Sequence, residues 1–183
     1  MPLKDQFFNT EFYTKLTAVT KSVYSGLDEK KFYLSISTDH SSLELMERLK
    51  LCSASLFHFL PRDYSVALPL VLKVAAKFDG FVGMLFPDFV ATYGLKHFKI
   101  SIHALEVLTQ YSSSEFAIRP FLRDYPEATV SQMELWSKHE NEHVRRLSSE
   151  GIRPLLPWSF KLTDFLDYPC LLYTSPSPRD KRQ

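Results

Sequence analysis

An all-α fold of short, stacked helical hairpins is predicted by three features of this sequence. Only 5 of its 183 residues are Gly, too few for a loop-rich β protein. Helix-start and helix-stop residues recur along the chain, with turns of only a few residues between them. Two segments also echo each other. Ser114-Glu115 followed by Ile118-Arg119-Pro120 returns about 35 positions later as Ser149-Glu150 followed by Ile152-Arg153-Pro154, a spacing inside the range of stacked helical repeats.

The elements follow in order. Thr10 is placed to cap a helix running to about Ser22. In SSLELMERLKLCSASLFHFL, Ser41 and Glu44 have capping-box spacing, and Leu45, Leu49, Cys52 and Leu56 recur at helical intervals. RDYSVALPLVLKVAAKF forms the next helix, with Pro69 tolerated as a kink or near a boundary. FPDFVATYG ends at a capping Gly94, and ISIHALEVLTQY follows at helical period. Ser112 and Glu115 again have capping-box spacing, opening a helix through EFAIRPFLRDY. Pro126 suits the first turn of EATVSQMELWS. Asn141 caps EHVRRLSSE, and Gly151 ends it. The sum is an α-solenoid of stacked HEAT-like helical hairpins. A register pairing Glu115 with Glu142 fits the turns as well, so the phase of the repeat stays open.

At 183 residues the chain is long enough for one domain with its own core, and 45% of it is hydrophobic, with 15 Phe and 9 Tyr. Its 22 basic residues nearly cancel 21 acidic ones, so any nucleic-acid-binding surface must be local. Cys52 and Cys170 make neither a disulfide framework nor a metal-ligand spacing. The N-terminal MPLKDQFFNTEF is too polar for a signal-peptide core. The longest apolar run, VALPLVLKVAA, is broken by Pro69 and Lys73 and is too short to span a bilayer. These features predict a soluble cytoplasmic protein without a membrane partner.

His139-Glu140-Asn141-Glu142-His143 satisfies the zinc-protease pattern H-E-x-x-H. That pattern works only when both histidines lie one turn apart on a continuous helix. An N-cap at Asn141 would leave His139 outside the helix that carries His143. No H-x-x-G-x-x-H extension follows. Two turn histidines among solvated charges are the expected outcome, and no metal is assigned.

The surrounding stretch, NEHVRRLSSEGIRPLLPW, closely resembles a signature of the HEAT-like-repeat DNA alkylation repair family, specifically its AlkC-type alkylpurine DNA glycosylases. LPRDY at 60–64, GFVGMLFPDFVATYGL at 80–95 and YSSSEFAIRPFL at 111–122 are similar to that family and occur in its order. The resemblance covers most of residues 1–169. One departure is Leu155, where family members often carry Arg.

The resemblance implies hydrolysis of the N-glycosidic bond of alkylated purines such as N3-methyladenine in double-stranded DNA, as the first step of base excision repair. It implies a concave basic surface, no cofactor, and a monomer when complete. The chemistry itself is plain. An alkylated purine is cationic and leaves readily, so the site needs carboxylates near the deoxyribose and an aromatic face beside the base. Glu115, Glu150 and Trp158 match the family positions for those roles, and Arg119, Arg145, Arg146 and Arg153 are the candidate phosphate contacts. Of Arg145 and Arg146, one is expected to face DNA and the other to point elsewhere. Taken without the family, Glu115 reads as a helix-start residue and Trp158 as a core or hinge aromatic. Glu150 then reads as a solvated charge set against the helix dipole. The alternative function is a non-catalytic helical-repeat scaffold that binds nucleic acid or protein.

The family's site also uses an Asp in a later segment resembling Asn-x-Leu-Asn-Asp, and nothing like it follows Trp158. CLLYTSPSPRD, from Cys170, resembles one reading frame of a transposase-type sequencing adapter. Residues 1–169 are therefore expected to be the N-terminal portion of a glycosylase domain, weakly active or inactive alone. Residues 170–183 are expected to be a non-native, disordered tail, so Cys170 and Arg179 carry no functional argument.

Overall fold

The computed structural model describes residues 2–38, 42–156 and 159–162. Among these residues there are ten α-helices and no strand. They are α1 (Leu3–Phe7), α2 (Thr10–Val23), α3 (Glu29–Ser37), α4 (Leu45–Phe59), α5 (Tyr64–Ala75), α6 (Leu85–Tyr93), α7 (Phe98–Leu108), α8 (Arg119–Asp124), α9 (Pro126–Trp136) and α10 (Glu142–Glu150). A 3₁₀ turn at Val82–Met84 leads into α6. The all-helical expectation holds. The 170–183 tail lies outside the described residues.

Local chemistry sets most boundaries, often one or more residues from where the spacing predicts them. Asn9, not Thr10, caps α2, its side chain accepting the Phe12 N–H at 2.9 Å. The box before α4 pairs Glu44 with Glu47, whose carboxylate accepts the Glu44 N–H at 2.8 Å; Ser41 lies outside the described residues. Asp63 caps α5 through the Ser65 N–H at 2.8 Å, and Pro69 sits inside that helix. Pro126 opens α9 and Asn141 caps α10, as predicted.

The helices pack in two rows. Helices α2, α5 and α7 pack side by side, and α3, α4 and α6 form the second row against them. Further along, α9 packs on both α8 and α10. This is the arrangement that stacked hairpins produce, because each helix offers an apolar stripe to the previous pair and another to the next. Leu16, Leu49, Leu56, Val71, Phe89 and Leu105 are fully buried between the rows.

Two polar devices fasten the core. The Tyr64 hydroxyl and Ser101 Oγ lie 2.9 Å apart, and Ser101 Oγ donates to the Gly94 carbonyl at 2.8 Å. Gly94 ends α6 with a right-handed φ of −96°. It is glycine because Tyr64 and Ser101 occupy the space of a Cβ. At the other end, the buried Arg48 on α4 donates to Asp5 Oδ1 at 2.9 Å and to the Phe8 carbonyl at 3.1 Å, tying α1 to α4.

Candidate active site

Of the predicted site residues, Glu115, Arg146, Glu150 and Arg153 come together at the junction of the α7–α8 connection with α10. That connection is held from several sides. Ser112 Oγ donates to the Gly80 carbonyl at 2.8 Å, and the Gly80 N–H returns to the Tyr111 carbonyl at 3.2 Å. Gly80 takes a positive φ of 60°, a conformation that favours glycine. Ser114 Oγ reaches the Leu105 carbonyl at 3.3 Å. The capping box expected of Ser112 and Glu115 does not form, because Ser112 is spent on Gly80 and Ser113 Oγ accepts the Glu115 N–H at 3.3 Å. Glu115 therefore precedes α8, which begins at Arg119, and its carboxylate is not used to start a helix.

Glu150 is the last residue of α10, and Gly151 caps the helix. A Cβ on Gly151 would stand 2.6 Å from Ile118 Cγ2 and 2.8 Å from the Leu147 carbonyl. Glycine there lets the end of α10 close onto the segment that carries Glu115. The contact brings the two carboxylates into electrostatic range, each with an arginine. Arg146 Nε lies 2.9 Å from Glu115 Oε1, and an Arg153 terminal nitrogen lies 2.8 Å from Glu150 Oε1. Both carboxylates are mostly enclosed, with side chains 13% and 18% exposed, while Arg146 is 52% exposed.

Burial pushes the Glu115 carboxyl above its ordinary range. Arg146 opposes that shift, Glu150 adds to it, and the Ser113 hydroxyl and Arg153 oppose it more weakly. The ion pair does not win because its arginine is half in water, where the field is screened. Glu115 and Arg146 border an open cavity of about 230 Å³, along with Tyr111, Ser113 and His143. Tyr111 is a rim residue that neither period nor spacing singles out, and His143 is singled out only by the H-E-x-x-H spacing.

The four candidate arginines separate. Arg119 is fully buried, and its guanidinium donates to the carbonyls of Gly151 (3.3 Å), Arg153 (2.6 Å), Pro154 (3.2 Å) and Phe160. That corrects its assignment as a phosphate contact, since its donors are spent inside the protein. Arg145 Nη1 donates to the carbonyls of His139 (2.8 Å) and Glu140 (2.6 Å), bracing the turn before α10. Arg146 and Arg153 lie in the carboxylate cluster. Adjacent Arg145 and Arg146 do point to different places, as helical geometry requires. Trp158 lies outside the described residues.

His139 does not share a helix with His143. Its Nδ1 accepts the Asn141 N–H at 3.0 Å in the turn before α10, and its Nε2 stands 3.8 Å from Glu106. The helical histidine pair that the zinc pattern needs is therefore not built.

No family model matches the chain. Among curated proteins it is similar to the uncharacterized protein YhaZ of Bacillus subtilis (strain 168), 44% identical over 154 residues, which are 84% of this chain and 43% of YhaZ. Among solved structures it matches the Pseudomonas fluorescens alkylpurine DNA glycosylase AlkC, bound to DNA containing an abasic site analog. The TM-score is 0.86 and the identity 38%, over 95% of this chain and 49% of that one. The chain is AlkC-like. The chain spans about half the length of these two relatives. Among the described residues, no helix is long and apolar enough to cross a membrane.

Proposed function

We propose that this chain is part of an alkylpurine DNA glycosylase. It hydrolyses the N-glycosidic bond of cationic alkylated purines such as N3-methyladenine in duplex DNA, opening base excision repair. The observation that carries the reading is the Glu115–Glu150 pair, two mostly enclosed carboxylates within electrostatic range of each other, of which Glu115 borders an open cavity. The likeness to AlkC over nearly the whole chain supports it.

The reaction asks little of an acid. As the C1′–N9 bond breaks, its electrons leave with the base and neutralise the cationic purine. Positive charge builds on the sugar, and a nearby carboxylate stabilises it. Water then forms the new bond to C1′ and passes its proton to a carboxylate, leaving an abasic site. Glu115 and Glu150 are read as the two carboxylates, and Trp158 as the face beside the base. Arg145 and Arg153 are read as the remaining candidates for phosphate contact. The third acidic group that such a site uses is read to lie in the relatives' remaining length.

The test is direct. The full-length protein is incubated with methylated duplex DNA and free N3-methyladenine is measured. Release well above the spontaneous rate, with binding that weakens steeply as salt rises, is the expected result. Binding without release would favour the non-catalytic scaffold instead.

A further inference from the structure

Arg146 is spent differently from a residue that waits for a phosphate. On α10 it sits four positions before Glu150, so successive turns of one helix face the α7–α8 connection. Its Nε is 2.9 Å from Glu115 Oε1, and the carboxylate it holds is the less exposed partner of the two. Glu115 has no other arginine or lysine within ion-pair distance among the described residues. The groups around it are mixed. Arg146, Glu150 and Arg153 act on it electrostatically from α10 and the segment after it, and Ser113 hydrogen-bonds it. His143 from α10 and Tyr111 from the α7–α8 connection share its cavity.

Two demands on Glu115 conflict at this place. To stabilise a sugar cation it must be charged, yet its burial and its acidic neighbour both favour the neutral acid. Arg146 is the largest influence acting the other way. We propose that Arg146 is a positioning residue: it holds the Glu115 carboxylate charged and aimed at the cavity, instead of gripping a DNA phosphate. The proposal rests on the glycosylase reading for its consequence in catalysis, and on the ion pair alone for its consequence in Glu115.

The half-exposed guanidinium matters to how the device works. A fully buried pair would be rigid and hard to replace, whereas an arginine half in water sets the carboxylate's orientation and still allows water to reach it. Lysine at this position would keep a positive charge but lose the planar guanidinium that fixes direction.

The experiment compares wild type, Arg146→Lys and Arg146→Gln in the full-length protein. Two readouts are taken: the pH profile of single-turnover base release, and the NMR titration of the Glu115 side-chain carboxyl carbon, assigned by its absence in Glu115→Gln. With glutamine at 146, both the acid limb of the rate profile and the Glu115 titration move up by about one pH unit, the low end for loss of a nearby opposite charge. Lysine restores most of the titration shift but less of the rate. DNA affinity and its salt slope stay close to wild type. If Arg146 is instead a phosphate contact, Arg146→Gln weakens DNA binding and lowers the salt slope by about 1, with both titrations unmoved, and the proposal is overturned. If wild type releases no base at any pH, the glycosylase reading fails, while the carboxyl titration still decides whether Arg146 governs Glu115.

Discussion

Arg119 Nη1 donates to the carbonyl of Arg153 at 2.6 Å, across the junction between α8 and the segment that follows α10. The same guanidinium reaches the carbonyls of Gly151, Pro154 and Phe160. It therefore ties down the stretch beyond Glu150, which leads toward Trp158. A planar group with five donors is suited to this, because the carbonyls it meets belong to irregular backbone with no ladder to join.

Replacing Arg119 with Met should therefore cost stability and leave the electrostatics of DNA binding alone. Several buried carbonyls would lose a charged donor, a loss on the order of 2–4 kcal/mol. At this chain length that corresponds to a fall in Tm of roughly 5–15 °C. Thermal unfolding measures the first effect. The salt slope of DNA binding measures the second, and a slope lowered by about one unit would return Arg119 to the phosphate contacts.

The two buried arginines mark where the sequence was legible and where it was not. Helices α2 and α4 to α10, and the caps at Pro126 and Asn141, follow from local spacing, because a cap and a period are short-range properties, whereas α1 and α3 were not read that way. Arg119 and Arg48 could not be placed that way. Arg48 falls three positions after Leu45 and beside Leu49, on the apolar face of α4. A cation in that phase is the one local hint of a buried fastener. Besides the nearby Leu43 carbonyl, the carbonyls it serves are about forty residues away, at Lys4 and Phe8, and no local rule points to them. The same holds for Glu115, where helical spacing suggested a cap and tertiary contacts to Gly80 and Leu105 built a turn.

Glu115→Gln should stabilise the fold while abolishing function. The carboxyl is raised by burial, so carrying its charge costs the folded protein more than it costs the unfolded chain. A raised carboxyl contributes stability below its unfolded value and loses that contribution as pH rises through the folded value. Removing the charge should raise Tm at pH 7 by a few degrees, the common gain when a strained functional charge is relieved, about 0.5–2 kcal/mol. The gain should shrink as pH falls through the folded value toward the unfolded one and be absent below about 4, where both states hold the proton. Thermal melts of both proteins from pH 4 to 8 check the sign.

Gly151→Ala tests the closure of α10 onto the Glu115 segment. The added methyl meets Ile118 and the Leu147 carbonyl at contact distances that ordinary packing does not allow. Overpacking of this kind costs about 1–3 kcal/mol. Because Glu150 is the preceding residue, the rate of base release should fall more than binding does. Equal losses in both would mean that the closure serves stability only.

A chelator should leave base release unchanged, because His139 and His143 are not arranged on one helix face. Base release is measured before and after exhaustive treatment with a zinc chelator. Loss of activity restored by added zinc would bring the HENEH segment back as a metal site.

Residues 1–169 alone should release base more than tenfold slower than the full-length protein, since removing one electrostatic group of a concerted site costs orders of magnitude. Side-by-side assays on the same methylated duplex decide this. Equal rates would confine the whole active site to the present chain.

The central claim is that Glu115 and Glu150 act together on the sugar. The measurement closest to it is single-turnover release of N3-methyladenine by wild type, Glu115→Gln, Glu150→Gln and the double variant of the full-length protein, at saturating enzyme. Each single variant should lose at least about 10²-fold, as for one electrostatic group of a preorganised site, and the double variant should lose far less than the product. Single variants that release base within about threefold of wild type, with the fold intact, would contradict that claim.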